Sequence, residues 1–316
     1  MGSRNAPGAT ISSRSPSSSQ RCEAPRTDVL SRSRSCSSSC RGGTPVKTEP
    51  LLRTLEVLEQ EHRGEISAAL RHLPSGDSLE WNAALRLPSA SVIKVPILVE
   101  LFAQAEAGRL RLEDRVCLEE AARTEGSGVL SMLHTGLACT LLDLAHLMIV
   151  VSDNAASNLL IEQVTCDAVN ERLAGLGYTR TRLGRKFYDF EARDRGLDNW
   201  AAADEFADLF TRLERRELVS ATASEQMLQI LKRQQFSDRI PGLLPADVIV
   251  AHKTGSITGI CHDAGIVHTP SGPLVLAIFT RGFAEPGAAP HCIRTVARAA
   301  YSLWGLPDPG GGGNPA

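Results

Sequence analysis

The chain has 316 residues, 34 Lys and Arg against 36 Asp and Glu, and a formal net charge of −2. That length allows one large domain or two small ones. The near balance of charge gives no footing for a nucleic-acid surface or a polybasic membrane anchor, and no run approaches the roughly 20 apolar residues of a membrane span.

Residues 1–48 differ from the rest. The stretches "ISSRSPSSSQ" and "SRSRSCSSSCRGG" are rich in Ser and Arg and nearly devoid of large apolar residues. Such a segment cannot bury enough surface to offset its ordering entropy, so it is expected to be disordered. It also lacks the apolar stretch of a secretory signal. Residues 307–316, with four successive glycines, are expected to form a disordered tail. Eight cysteines are present, five of them after residue 100: Cys117, Cys139, Cys166, Cys261 and Cys292. Their spacing fits neither a zinc site nor a dense disulfide framework, and buried free thiols are expected.

From about residue 49 the pattern becomes globular. Leu51, Leu52, Leu55 and Leu58 make a helical stripe. "GEISAALRHL" and "DSLEWNA", parted by "PSGD", predict a β-hairpin. Ser89 can cap a helix over about 90–107 that Gly108 ends, with Pro96 bending it. Residues 109–235 read mostly as helices, among them "TLLDLAHLMIVV", "NAASNLLIEQV", "AAADEFADLFTRLERREL" and "SEQMLQILKRQQF". After 245 the period changes, and "DVIVAHKTGS", "CHDAGIVHT" and "PLVLAIFTRG" predict three strands before a closing helix, "CIRTVARAAYSLW". The fold expected is α/β of the α+β type. Its five-stranded antiparallel sheet is flanked by terminal helices, with an all-helical subdomain inserted. The domain spans 49–306, the sheet part about 49–88 and 221–306, and the helical subdomain about 109–220. A cleft between the parts is the natural place for a site.

Three short motifs carry candidate chemistry. Ser91 and Lys94 stand three apart on the predicted helix, so an amine can reach a hydroxyl on one face. The first turn of a helix favours negative charge, and a buried lysine near another cation can be neutral enough to act as a base. Ser-x-x-Lys also arises by chance in a chain of this length. Ser152-Asp153-Asn154 follows an apolar helix; its hydroxyl can relay a proton and its amide can hold a substrate, while the same residues serve equally as a helix cap. Lys253-Thr254-Gly255 ends a predicted strand, where a lysine and a hydroxyl can hold a carboxylate and Gly255 allows close approach. A strand simply running into a turn reads the same way.

Found together, in this order and element context, the three motifs resemble those of the class A serine β-lactamase family and its close serine-hydrolase relatives. The resemblance covers about residues 49–306 and extends to "GSGVL", "DLAHLMIVVSDNAASNLLI" and "HKTGSITGICHDAGIV". It implies a β-lactamase/transpeptidase-like fold and attack of Ser91 on a β-lactam carbonyl. Lys94 would take the proton, and the backbone N–H groups of Ser91 and Ser256 would form the oxyanion hole. Ser152 would pass the proton to the lactam nitrogen. Lys253, Thr254, Gly255 and Ser256 would bind the substrate carboxylate, and Asn154 would position a side-chain amide. It implies no cofactor and no metal, and as partner only a small-molecule β-lactam met by a monomer. It also implies work outside the cytoplasm.

The resemblance departs from the family at two points. The family's deacylating Glu would fall at about Lys186 or Phe187, neither acidic; Glu191 is the nearest Glu and Asp189 a second candidate. The family's strand Arg is replaced by Cys261 and His262, and Arg281 on the next strand is the expected substitute. A penicillin-sensitive D-Ala-D-Ala peptidase and a covalent β-lactam sensor, both with slow release, are the competing readings.

Overall fold

The computed structural model describes residues 48–306, the strand Arg34–Ser37 and Gly2. The expectations for 1–48 and 307–316 otherwise lie outside the described residues. Strand β1 (Arg34–Ser37) is followed by α1 (Glu49–His62) and the hairpin β2 (Glu65–His72) and β3 (Ser78–Trp81). A short β4 (Leu87–Pro88) leads into a 3-10 turn, Ala90–Ile93, and α2 (Lys94–Glu106). The middle of the chain holds β5 (Arg115–Cys117), β6 (Ala138–Thr140), α3 (Leu141–Val150), α4 (Asn154–Val164) and α5 (Cys166–Gly175). It continues with α6 (Phe190–Asp194), β7 (Trp200–Ala201), α7 (Ala203–Glu214) and α8 (Ala221–Leu231). Strands β8 (Ile249–Ile257), β9 (Ile260–Thr269) and β10 (Gly272–Arg281) and helix α9 (Ala288–Trp304) close the chain.

The five expected strands share one antiparallel sheet in the order β3-β2-β10-β9-β8, and β1 adds a sixth at the β3 edge. The period-2 alternation of a strand sends its residues to two different cores. On β10, Leu274, Leu276 and Ile278 face α1 and α9, packing with Leu55, Val296 and Trp304. Val275, Ala277 and Phe279 face the helical layer, packing with Phe206 and Phe210. Because both faces are covered, β10 reads as a continuous apolar run. Two minor pairs, β4–β7 and β5–β6, lie in stretches expected to be helix or loop.

Helix α2 is buried along almost its whole length, from Lys94 to Gln104, and runs through the middle of the helical layer. Its start departs from expectation. Ser89 makes no side-chain cap, and residues 90–93 form a 3-10 turn ahead of the α-helix proper. Pro96 falls in the first turn of α2, where its missing N–H costs no intrahelical bond, so it sets the helix start instead of bending it. By contrast, α3 has a full capping box between Thr140 and Asp143, and Asp153 caps α4 through Ala156 N. The five cysteines after residue 100 are free; Cys139, Cys261 and Cys292 are buried. Among the described residues no helix is long and apolar enough to cross a membrane.

Candidate active site

Ser91 sits in the 3-10 turn, one residue after Ala90, whose φ is +45°. That left-handed backbone turns the chain sharply from β4 into α2. Strand β8 presses against the turn. A Cβ added at Gly255 would lie 2.9 Å from Ser91 N, 3.0 Å from Val92 N and 3.1 Å from the Ala90 Cβ. Only glycine lets this strand approach so closely.

Lys94 and Lys253 are fully buried and converge on one hydroxyl. Lys94 Nζ donates to Ser152 O at 2.7 Å, Asn154 Oδ1 at 2.8 Å and Ser152 Oγ at 3.2 Å. Lys253 Nζ donates to Ser152 Oγ at 3.0 Å and Thr254 O at 2.8 Å. Ser152 therefore accepts from two amines, which leaves its own O–H to point elsewhere. It is held with φ +56° at the sharp junction between α3 and α4. Burial, and after it the charge of Lys253, pushes the Lys94 amine well below the ordinary lysine range. Burial and the Arg239 guanidinium push Lys253 down to about 7. Asp153 has a structural role: its carboxylate accepts from Val129 N and Leu130 N at 2.7 Å and from Ala156 N at 2.9 Å. These bonds hold the 126–130 loop against α4, and Asn154 Nδ2 adds a bond to Glu125 O.

Behind β8, Arg239 reaches in from the loop before the strand. It donates to Gly255 O at 3.0 Å, His262 O at 2.7 Å and Ser256 Oγ at 2.6 Å. Asp263, wholly buried, anchors that loop by accepting from Ile240 N and pairs with His252 at 2.9 Å. His262 donates from Nε2 to Pro88 O at 2.9 Å and stacks on Phe279 at 4.4 Å. Its imidazole is pushed down to about 4 by burial, so it stays neutral at ordinary pH and ties β9 to the strand that precedes Ser91.

The loop 185–198 forms another wall. Its neck is closed by Arg185 on Asp198 at 2.8 Å and by Asn199, whose Oδ1 accepts from Gly184 N and Arg185 N. Phe187 projects from this loop, and its ring centroid lies 4.3 Å from Lys94 Nζ. Ser91, Asn154, Phe187, Asp198, Ser256 and Ile257 are among the residues lining a cavity of about 530 Å³. Among the described residues, no group of three or more His, Cys, Asp or Glu could hold a metal ion.

The model of the β-lactamase enzyme family matches residues 50–304. The chain belongs to that family. It is thus a hydrolase of the family that acts on the cyclic amide of β-lactams, an activity tied to antibiotic resistance. It is 26% identical over 232 residues to the extended-spectrum β-lactamase PER-1 of Pseudomonas aeruginosa, covering 69% of this chain and 75% of PER-1. The structure of a β-lactamase from Sphaerobacter thermophilus is similar with TM-score 0.78 and 35% identity, over 84% of this chain and 100% of that one. The structure of PBP-A is similar with TM-score 0.74 and 26% identity, over 82% and 97%.

In this β-lactamase-family chain the structure brings Ser91, Lys94, Ser152, Asn154, Lys253, Thr254, Gly255 and Ser256 to one place. It does not bring Glu191 or Arg281 there. Glu191 is exposed on α6 and lines none of the Ser91 cavity, because α6 turns that face to solvent. Asp189, the second acid considered, uses its carboxylate to cap α6 through Ala192 N at 2.9 Å. Arg281 stands at the same end of the sheet as Ser256 but two strands away, and it pairs with Glu65 on β2, on the side of β10 that faces away from β8. Arg239, not Arg281, is the arginine that reaches Ser256, and Phe187 stands over Lys94. Neither carried a sequence signal: Arg239 lies in an ordinary polar loop, "FSDRIPG", and Phe187 in a second loop with no pattern of its own.

Proposed function

We propose that this enzyme opens β-lactams by forming an acyl-enzyme on Ser91, and that release of the acyl group limits its turnover. Lys94, its amine depressed by burial, takes the Ser91 proton. The N–H groups of Ser91 and Ser256 receive the developing oxyanion, a donor pair in which each member is worth about 3–4 kcal/mol in comparable sites. Ser152, accepting from both lysines, directs its own proton to the lactam nitrogen as the ring opens. Lys253, Thr254 and Ser256 hold the substrate carboxylate, and Arg239 supports them from behind β8. Asn154 orients the substrate amide and Lys94 together.

Phe187 carries the second half of the reading. Hydrolysis of the acyl-enzyme needs a base to activate water, yet an aromatic ring covers Lys94 on the loop side. Among the described residues, the one carboxylate lining the cavity, Asp198, is held by Arg185. Water at the ester then lacks a free base, and the acyl group persists. The same feature favours a second reading, a penicillin-sensitive peptidase with equal acylation and slow release. PBP-A supports acylation in this fold, since a single-residue mutant of it was solved as an acyl-enzyme complex with penicillin G.

The test is a time course with a chromogenic cephalosporin. A burst of one equivalent per protein followed by a slow steady phase is expected, and Ser91→Ala should remove both phases. A fast linear course with no burst would overturn the deacylation limit, and retained activity in Ser91→Ala would overturn the nucleophile.

A further inference from the structure

One wall of the Ser91 cavity, Phe187 apart, takes no part in the chemistry above. The segment 187–193 gives it Phe187, Tyr188, Phe190 and Arg193. Tyr188 and Phe190 are 42% and 56% exposed, an unusual state for two neighbouring large rings, and they pack edge-to-face at 5.7 Å. Tyr188 holds φ +62°, a left-handed conformation that is strained for a bulky residue and concentrates at functional sites. Its hydroxyl end lies against Gly126 on the facing loop, where any Cβ would collide with it. The wall is thus preformed and its rings are left uncovered.

Its charge is equally specific. Three charged side chains line the cavity: Arg185, Asp198 and Arg193. Arg185 and Asp198 neutralise each other at 2.8 Å. Arg193 is exposed and has no ion pair among the described residues. The wall therefore combines flat apolar surface with one unpaired guanidinium, a group suited to a carboxylate. Aromatic rings and a cation side by side favour a ligand group that is itself both flat and anionic.

We propose that Tyr188, Phe190 and Arg193 form a subsite for the substrate's acyl side chain, selecting side chains that carry an aromatic group and a carboxylate. The inference rests on the acylation of Ser91 proposed above. The substrate class it names is dianionic: one carboxylate held at Lys253 and Ser256, the other at Arg193.

The experiment compares benzylpenicillin with carbenicillin, which adds an α-carboxylate to the same side chain. The second-order acylation constant of Ser91 is measured for each by stopped-flow and mass spectrometry in wild type, Arg193→Gln and Arg193→Glu. The carbenicillin-to-benzylpenicillin ratio should fall about five-fold in Arg193→Gln, the scale of one exposed charge pair, and further in Arg193→Glu. Acylation by benzylpenicillin with a ratio that both substitutions leave unchanged would overturn the subsite alone. Failure of carbenicillin alone to acylate the wild type would also overturn the subsite alone, and failure of both penicillins would overturn the Ser91 reading and the subsite with it.

Discussion

Lys94 and Lys253 meet at the Ser152 hydroxyl with no water-facing surface, so burial disfavours the charge of both and the charge of Lys253 further disfavours that of Lys94. The two have opposite requirements: Lys94 must be neutral to accept a proton, and Lys253 must be charged to attract a carboxylate. Lys253 sits at about 7. Below that pH its ammonium is present, and above it the charge is lost. The acylation constant kcat/KM should therefore fall as pH rises past about 7, with kcat less affected because a bound carboxylate stabilises the ammonium. A pH series by stopped-flow checks this, and a flat profile from about pH 6 to 9 would contradict it. Phe187 sets the other residue-scale expectation. Phe187→Glu places a carboxylate beside Lys94 and the acyl ester, and steady-state turnover should rise by about 10²-fold, the lower range for a positioned general base. Phe187→Gln is the control and should leave turnover slow. Equal gains from both would show that ring removal, not a base, mattered.

At the scale of elements, the loop 185–198 is a short wall held at its neck. Arg185 spans the neck to Asp198, while Asn199 grips the backbone of Gly184 and Arg185. Arg185→Ala leaves a half-buried carboxylate without its partner, at a cost of about 1–3 kcal/mol. Urea unfolding should show that loss. Amide exchange across 186–197 should rise, with exchange in β8–β10 unchanged at matched stability. Protection lost equally through the sheet would mean the neck is part of the global core. The start of α2 follows the same local logic. Pro96 fits only near a helix start, so the chain enters through a 3-10 turn, and that turn places Ser91 beside Gly255.

Across the whole molecule, one sheet separates two cores. The terminal helices α1 and α9 cover one face, and the helical layer that carries Ser91, Lys94 and Ser152 covers the other. The site lies at the edge of the second core only. Leu276 points to the α1/α9 side, so Leu276→Ala should cost about 2–5 kcal/mol of stability without slowing acylation by the folded fraction. Denaturant melts and burst kinetics on the same preparation test this, and a slowed burst would mean the two cores are coupled. Most of this architecture was legible in the chain. The hairpin, the three last strands and the main helices lie where apolar period and turn residues put them, since those signals are local. The short pairs β4–β7 and β5–β6 were not legible, because two or three residues carry no period.

The sequence by itself determined the carriers of the chemistry. Ser91 and Lys94 are three residues apart on one helical face, Ser152 and Asn154 follow an apolar helix, and Lys253 to Ser256 end a strand; each spacing is a local property of backbone geometry. Tertiary structure alone decided what surrounds them. Lys94 meets Ser152 from 58 positions away, Arg239 reaches Ser256 from an irregular loop 17 positions earlier, and Arg185 finds Asp198 across the neck of another. Glu191 and Arg281 had the right chemistry and the wrong direction, one turned to solvent by its helix and the other drawn to Glu65. Residue type states what a side chain can do; only the packing of distant segments states what it faces.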